Sequence, residues 1–362
     1  MRKSITLLEV ATLAGVSTAT VTRVLRGDAR VAGETRERVQ GILNSTGYQV
    51  NAIAQSLRTK RVATVAHILN SFFPNPFYTN VASGLQREAT KYGYEVLTYD
   101  AENSPKVERE AVQAALRRRS DSIIFTTPIK AENVALATSA GVRVVQVERP
   151  TEAPSAVVTV DNYSGAWEAT DYLISLGHRD ITFIGRRFSS DRDMAGSVEA
   201  ARLEGYLDAM QKGQARSEVV LGEYFISGQR EFQALGRGYA ERILAGPRVP
   251  TAIFAASDIL AAGVLQALYA AQIRVPDEVS VIGFDDTYAR ALTPSLSTVV
   301  VPMDEVGRMA FRCAIVEPLE DNIRLSTHLI LRESTGKPLP AEALASRFAR
   351  SSARGQGIGQ ND

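Results

Sequence analysis

The stretch Val10–Leu25, VATLAGVSTATVTRVL, predicts the architecture of the N-terminal region. Apolar residues at positions 7, 10, 11 and 14 have the i, i+3, i+4, i+7 spacing that lines one face of a helix. Gly15 ends this helix, and Ser17 is the expected N-cap of a second helix, which Gly27 terminates. Two short helices joined by a tight turn that contains glycine predict a helix-turn-helix, whose second helix enters the major groove of DNA.

The flanking residues agree with a small helical domain that binds a polyanion. A third helix is predicted from Glu34 to Thr46, with Gly47 at its C-terminal cap. Residues 1–61 carry ten Lys and Arg and four acidic residues, a net charge of +6, whereas the rest of the chain carries −5. A basic module on an acidic body is typical of a DNA-binding protein. The alternative is a plain three-helix bundle with solvated polar faces and a chance cluster of charge.

Polar residues of the second helix are candidates for contacts with DNA. Arg23 can donate two parallel hydrogen bonds to guanine O6 and N7. Thr18 offers a hydroxyl and a methyl group, and Ala19 offers a methyl group that suits the methyl group of thymine. Ser17 and Thr20 are expected to contact phosphate, which positions the protein but does not specify sequence.

Residues 51–61 are predicted to be a linker whose structure depends on a partner. Asn51–Arg58 has the pattern of a short helix, but so short a helix is marginal in water because its nucleation is costly.

From Val62 onward, short apolar runs alternate with longer segments of helical periodicity. This alternation predicts parallel sheets with helices on both faces, and so many strands divide best into two doubly wound lobes. The residues after 338 lack periodicity and are expected to form a disordered tail. The predicted strands are Val62–Leu69, Glu95–Tyr99, Ser122–Phe125, Val142–Val147, Val157–Val160, Ile181–Ile184, Thr251–Ala256 and Val279–Phe284.

Two carboxylates directly follow apolar strands in this pattern. Asp285 follows Val279–Phe284, and Glu148 follows Val142–Val147. Ligands of doubly wound folds bind at the carboxyl ends of the strands, where a carboxylate can accept hydrogen bonds from ligand hydroxyls or amines. The alternative is that each is a strand-end charge that faces water.

Other chemistries find no support in the sequence. Cys313 is the only cysteine, which excludes an intramolecular disulfide and fits the cytoplasm. The N-terminal residues lack the apolar core of a signal peptide, and no apolar run is long enough to span a membrane. The three histidines have no Cys or Glu at metal-ligand spacing, and neither a nucleophile elbow nor a P-loop occurs, so we expect no cofactor, no metal and no enzymatic activity.

Several motifs resemble the lactose/galactose/purine repressor (LacI/GalR) family of bacterial transcriptional regulators. They occur in the family's order and cover about residues 5–336. Besides Val10–Leu25, they are Glu34–Val39, Gly47-Tyr48, Asn51–Arg58, Asn75–Tyr78, Leu176–Arg179, Arg202–Tyr206, Val275–Asp286 and Leu331–Ser334.

The resemblance implies a domain organisation and a mechanism. It divides the chain into a headpiece (1–50), a hinge (51–61), a two-lobed core like that of periplasmic binding proteins (62–338) and a tail (339–362). It implies a homodimer on near-palindromic operator DNA, controlled by a small molecule. A sugar or sugar derivative is the default effector, with a purine or another polar metabolite as the alternative. A plain receptor of the same core without a DNA function is the competing interpretation.

The resemblance also assigns residues. Leu57 matches the leucine that wedges into the minor groove, although it could instead pack on the core. Arg26 replaces a common Asn and offers an extra phosphate contact. Glu148 and Ser257 stand where many sugar-binding members have Asp and Asn. The full set of DNA-contacting residues is Thr6, Leu7, Ser17, Thr18, Ala19, Thr20, Arg23, Arg26, Ala54 and Leu57. The full set of effector-binding residues is Phe77, Tyr78, Glu148, Arg202, Tyr224, Ser257 and Asp285.

Overall fold

The computed structural model describes residues 5–25, 27–48, 63–71, 75–187, 197–223, 231–317 and 322–340. The chain forms two compact units, Met1–Ala63 and Thr64–Asp362. The predicted hinge, the tail beyond 340 and four candidate site residues lie outside the described residues; the four are Arg26, Ala54, Leu57 and Tyr224.

The first unit contains the three predicted helices, α1 (Leu7–Ala14), α2 (Thr18–Leu25) and α3 (Gly33–Thr46). Local capping fixes where they begin and end. The Thr6 hydroxyl accepts a hydrogen bond from the Glu9 backbone N–H, and the Glu9 carboxylate accepts one from the Thr6 N–H, so α1 starts with a capping box. Gly15 ends α1 with φ of 63°, a left-handed conformation that favours glycine.

The three helices pack around a small core built from Val10, Val21, Val39 and Leu43. Val21, Val24 and Leu25 form an apolar stripe in the sequence, which predicts that all three are buried. This prediction was wrong for Leu25, which is 39% exposed and does not join this core. Within the described residues, no single helix is long and apolar enough to cross a membrane. Only α1 and α2 together would pass by length and composition, and they are bent by 100° at their turn.

The second unit contains twelve strands and eight α-helices within its described residues. In chain order these are β1 (Thr64–Leu69), α4 (Pro76–Lys91), β2 (Glu95–Asp100), α5 (Pro105–Arg117), β3 (Ser122–Thr126), α6 (Ala131–Ser139), β4 (Arg143–Val147), β5 (Ala156–Val160), α7 (Asn162–Ser175), β6 (Asp180–Arg187), α8 (Val198–Lys212), β7 (Arg216–Glu223), α9 (Glu231–Leu244), β8 (Ala252–Ala255), α10 (Asp258–Ala270), β9 (Ser280–Asp285), β10 (Ser297–Val300), α11 (Met303–Phe311), β11 (Ile323–Leu325) and β12 (His328–Ile330).

The strands form two six-stranded sheets, one in each lobe, as predicted. The order in the first lobe is β11-β5-β4-β3-β1-β2, and every pairing is parallel. The order in the second lobe is β12-β10-β9-β8-β6-β7, and only the edge strand β12 is antiparallel. The sequence pattern missed β7, β10, β11 and β12. Three of these lie at sheet edges, where half-exposed side chains leave no continuous apolar run.

Alternate residues of the first sheet enter cores on its two faces. Ile123 and Phe125 of β3 pack with side chains of α5 and α6, whereas Ile124 belongs to the core that includes residues of α4. Because neighbouring strands are parallel, their carboxyl ends lie along one edge of each sheet. Glu148, Ser257 and Asp285 lie at these edges.

Helix α4 is held firmly against α11. A Cβ added to Gly84 would lie 2.1 Å from the backbone oxygen of Asp304, and one added to Gly307 would lie 2.0 Å from that of Val81. Only glycine allows so close a backbone approach. The side chain of Asn75 caps the N-terminus of α4, which fixes the position of Phe77 and Tyr78 in its first turn.

Candidate functional site

The predicted ligand-binding residues of the core cluster at the carboxyl ends of parallel strands. Glu148 follows β4, Asp285 ends β9 and Ser257 lies just beyond β8. Glu148 and Asp285 adopt positive φ values of 67° and 110°, a conformation that residues with a side chain rarely take up. Such strained residues often occur at binding sites, because the surrounding structure must hold them in place. Both carboxylates are buried, with 5% of each residue exposed, so the water-facing alternative is wrong.

Arg202, in the first turns of α8, is surrounded by acceptors. Its Nη2 lies 3.0 Å from Oδ1 of Asp285, and its Nη1 donates to the carbonyl of Ala256 at 2.6 Å. Its Nε donates to Oδ1 of Asn162 at 2.8 Å, and its guanidinium lies 3.7 Å from the centre of the Phe284 ring. Each nitrogen of this buried guanidinium is therefore engaged by the protein itself.

Glu148 comes from the other lobe and meets this group through Asn162. The Asn162 amide donates to Oε2 of Glu148 at 3.5 Å. Within the part of the chain that the structure describes, the buried Oε1 atom of Glu148 has no hydrogen-bond partner. Burial raises the pKa of Glu148 to about 7, although Arg202 and the bond from Asn162 favour the charged form.

The same physical effect acts on Asp285. Burial raises the pKa of Asp285 to about 6, and the ion pair with Arg202 opposes that rise. Burial thus opposes the charged form of both carboxyl groups, and Arg202 favours it.

Asp258, directly after Ser257, has a structural role beside the site. Its Oδ1 accepts from the Thr298 hydroxyl at 2.6 Å, and its Oδ2 accepts from the Thr287 backbone N–H at 2.7 Å. Burial raises the pKa of Asp258 to about 7. These bonds fix the loop that follows β9. Ser257 occupies the N-cap position of α10, but its side chain makes no capping hydrogen bond.

The aromatic pair Phe77 and Tyr78 is tied to the same edge of the first sheet. The two rings pack edge to face with centroids 5.5 Å apart. The Thr127 hydroxyl donates to Oη of Tyr78 at 3.1 Å, and the Thr127 backbone N–H donates to the carbonyl of Val147 at 3.0 Å. The aromatic pair is thus connected to the residue just before Glu148. Tyr224 lies outside the described residues.

Two members of this group, Asn162 and Thr127, were not predicted from the sequence. Asn162 is the second residue after strand β5, so a search for polar residues within two positions of a strand end, with amides as well as carboxylates, could have found it. Thr127 directly follows β3 and carries no comparable signal, because threonine is common in strands and turns. The described residues contain no group of three or more His, Cys, Asp or Glu side chains that could hold a metal ion.

In the first unit, the candidate DNA contacts divide into two sets. Thr18, Ala19 and Arg23 are exposed and lie on one face of α2, opposite the buried Val21 and Val24. This is the arrangement that major-groove reading requires.

The second set takes part in the local structure of the unit. The Ser17 hydroxyl accepts from the Thr20 backbone N–H at 3.2 Å and lies 3.0 Å from the Thr20 hydroxyl, which confirms Ser17 as the N-cap of α2. Thr6 belongs to the capping box of α1, and Leu7 is half-buried against the core.

Comparison with known proteins agrees with both units. Residues 6–51 match the family described as bacterial regulatory proteins, lacI family, and residues 170–335 match the periplasmic binding protein-like domain. The chain is 32% identical to the HTH-type transcriptional regulator DegA of Bacillus subtilis, over 91% of this chain and 98% of that protein.

Two solved structures share the fold. The Lac repressor dimer bound to operator and an anti-inducer aligns with a TM-score of 0.75 at 23% identity, covering 92% of this chain and all of that one. The complex of the transcriptional regulator CelR with cellobiose aligns with a TM-score of 0.64 at 28% identity, covering 91% and 99%.

A helix-turn-helix unit joined to a two-lobed core of the periplasmic-binding-protein type defines a DNA-binding regulator that senses a small molecule. The chain belongs to the LacI family of bacterial transcriptional regulators. It is therefore a regulator of transcription and not an enzyme.

Proposed function

We propose that the protein is a cytoplasmic repressor that binds near-palindromic operator DNA as a homodimer and releases or gains DNA in response to a sugar or sugar derivative. The observation that carries this proposal is the buried Oε1 of Glu148, an acceptor with no partner among the described residues, beside the Arg202–Asp285 ion pair. A buried acceptor of this kind costs free energy unless a donor reaches it, and a ligand hydroxyl is such a donor.

The charges at the site favour a neutral ligand rich in hydroxyl groups. Asp285, Asn162 and the carbonyl of Ala256 already occupy the guanidinium of Arg202, so it is poorly placed to bind an anionic group. Two buried carboxylates instead offer acceptors to donors on the ligand.

Aromatic rings complete a site suited to a sugar. The Phe77–Tyr78 pair supplies an apolar surface for the C–H groups of a sugar ring, and such rings are a common wall of small-molecule sites. The cellobiose complex of the related CelR supports the same class of effector. A purine would also stack on the pair, so it belongs in the test panel.

For DNA binding, we assign the reading of bases to Thr18, Ala19 and Arg23. We assign contacts with the phosphate backbone of DNA to Thr6, Leu7, Ser17, Thr20 and Arg26. The exposure of the first three on one face of α2 supports this division. Ala54 and Leu57 are assigned to the hinge by the family resemblance. The corresponding domains are the headpiece (1–50), hinge (51–61), effector-binding core (62–338) and tail (339–362).

The test is the binding of the full-length protein to DNA from its own upstream region, followed by fluorescence anisotropy over a salt series. Cellobiose, ribose, other sugars and purine bases are added in turn. We expect tight binding that weakens steeply with salt and that one sugar alters. Binding altered only by a purine would correct the effector class. No DNA binding, with a ligand still bound by the core, would favour the plain receptor.

A further inference from the structure

An ion pair next to the candidate effector site connects the two lobes. Arg149 follows Glu148 at the end of β4 in the first lobe, and Glu199 lies in the first turn of α8 in the second lobe. Nη2 of Arg149 donates to Oε1 of Glu199 at 2.5 Å. Nη1 of Arg186, from the end of β6, lies 3.9 Å from the same oxygen.

The surroundings strengthen this contact. Only 25% of the Arg149 side chain and 16% of the Glu199 side chain are exposed, so solvent screens the pair less than it screens an ordinary surface ion pair. Glu199 also lies at the N-terminus of a helix, where the positive end of the helix dipole stabilises a carboxylate.

Both partners are close in sequence to residues of the candidate site. Arg149 is the neighbour of Glu148, and Glu199 lies one turn before Arg202 on α8. Their charges also act on the site, because Arg149 lowers the pKa of Glu148 and Glu199 raises the pKa of Asp285. The contact thus joins the segment that carries Glu148 to the helix that carries Arg202, the partner of Asp285.

We propose that Arg149 and Glu199 are positioning residues that fix the orientation of one lobe against the other, and with it the distance from Glu148 to the Arg202–Asp285 pair. The effect on the effector rests on the proposed function, whereas the effect on lobe orientation does not. A contact that bridges the lobes biases whichever orientation contains it, which is how a local pair influences a two-state change.

The first test measures the lobes without any ligand. Spin labels on cysteines placed at the exposed Gln113 of α5 and Gln211 of α8, with Cys313→Ala, report the distance between lobes by pulsed electron paramagnetic resonance. Arg149→Gln and Glu199→Gln should each shift or broaden the distance distribution, and the double variant should add nothing further.

A matched control is Arg237→Gln, which removes an exposed ion pair of 2.7 Å with Glu241 within α9. It should leave the distribution unchanged. An unaltered distribution in both single variants, or single effects that add independently in the double variant, would overturn the proposal.

The second test uses full-length protein on operator DNA with cellobiose as the probe. We expect Arg149→Gln and Glu199→Gln to raise the cellobiose concentration for half-maximal response by about tenfold, because each substitution removes one charge-assisted hydrogen bond. If unsubstituted protein ignores cellobiose and every other sugar, the proposed function fails, and the ligand-free distances still decide the proposal. A cellobiose response unchanged in both variants would contradict the proposed effect of the ion pair on the sensitivity to effector.

Discussion

Arg202 and Asp285 form a buried ion pair, with Nη2 of the arginine 3.0 Å from Oδ1 of the aspartate. The arginine comes from α8 and the aspartate from the end of β9, so the pair fastens a helix to the edge of the sheet at the candidate effector site. Nε and Nη1 donate hydrogen bonds to Asn162 and Ala256, so the guanidinium holds three groups of the site in fixed positions.

Removing this arginine should impair both stability and the effector response. Arg202→Met leaves Asp285 buried without its partner, which we expect to destabilise the protein by about 3 to 5 kcal/mol in urea unfolding. The double variant Arg202→Met/Asp285→Leu should recover most of that stability while the effector response stays absent. A double variant that still responds to effector would show that the pair only supports the fold.

Glu148 should make stability depend on pH. Its pKa of about 7 lies above the ordinary value of 4.5, so between these pH values the folded protein keeps a proton that the unfolded chain has released. Stability from this group is therefore lost as pH rises from 5 to 7. Glu148→Gln should remove the effect. Its free energy of unfolding, measured in urea, should rise above that of the parent by an amount that grows from pH 5 to pH 8, at most about 3 kcal/mol. A difference that is constant with pH would contradict the raised pKa.

Arg23 should read sequence, whereas Arg30 should not. Arg23 is exposed on α2, while Arg30 is held by two hydrogen bonds to the Asp28 carboxylate. Arg23→Ala should lower the preference for one base position by about 1 to 3 kcal/mol in competition with single-base operator variants. Arg30→Ala is the matched control and should leave the preference intact. A uniform loss over all sequences in Arg23→Ala would instead indicate a phosphate contact.

Leu57 should act on DNA and not on the core. By its family position it inserts into the minor groove, so Leu57→Ala should weaken operator binding strongly with an unchanged melting temperature and effector affinity. An unchanged operator affinity would exclude the wedge, and a lowered melting temperature would favour packing on the core.

Gly283 should tolerate no side chain. A Cβ there would lie 2.4 Å from Oδ1 of Asp258 and 2.7 Å from a methyl carbon of Leu296. Gly283→Ala should therefore destabilise the protein by about 1 to 3 kcal/mol in urea unfolding. Gly238→Ala in α9 is the control, since a Cβ there meets nothing within 4 Å and alanine favours a helix by roughly 0.5 to 1 kcal/mol. Equal effects of the two substitutions would contradict the steric argument.

Local chemistry was enough to predict the three helices of the first unit, three of their caps and the two-lobed architecture from the sequence. Helix caps and strand ends depend on neighbouring residues, so Ser17, Gly15 and Gly47 could be placed correctly. Leu25 was misplaced because an apolar residue at the end of a stripe is often left outside a small core.

The partnerships within the site could not be predicted in the same way. Arg202 and Asp285 are far apart in sequence, and nothing local indicates that Nη2 of one meets Oδ1 of the other. The edge strands β7, β11 and β12 were missed for a similar reason, since their half-exposed residues become strands only when a neighbouring strand supplies hydrogen-bond partners.

The helix-turn-helix and the two lobes could be predicted from the sequence, because apolar periodicity, caps and strand-end carboxylates are properties of short segments, and the family motifs indicated the class of protein. Which groups meet depends on the packing of the folded chain: Asn162 lies between Glu148 and Arg202, Thr127 contacts Tyr78, and Arg149 contacts Glu199. These contacts depend on the angle and distance at which whole lobes and helices pack. That geometry is set by the sum of many contacts across the core and not by any one stretch of chain.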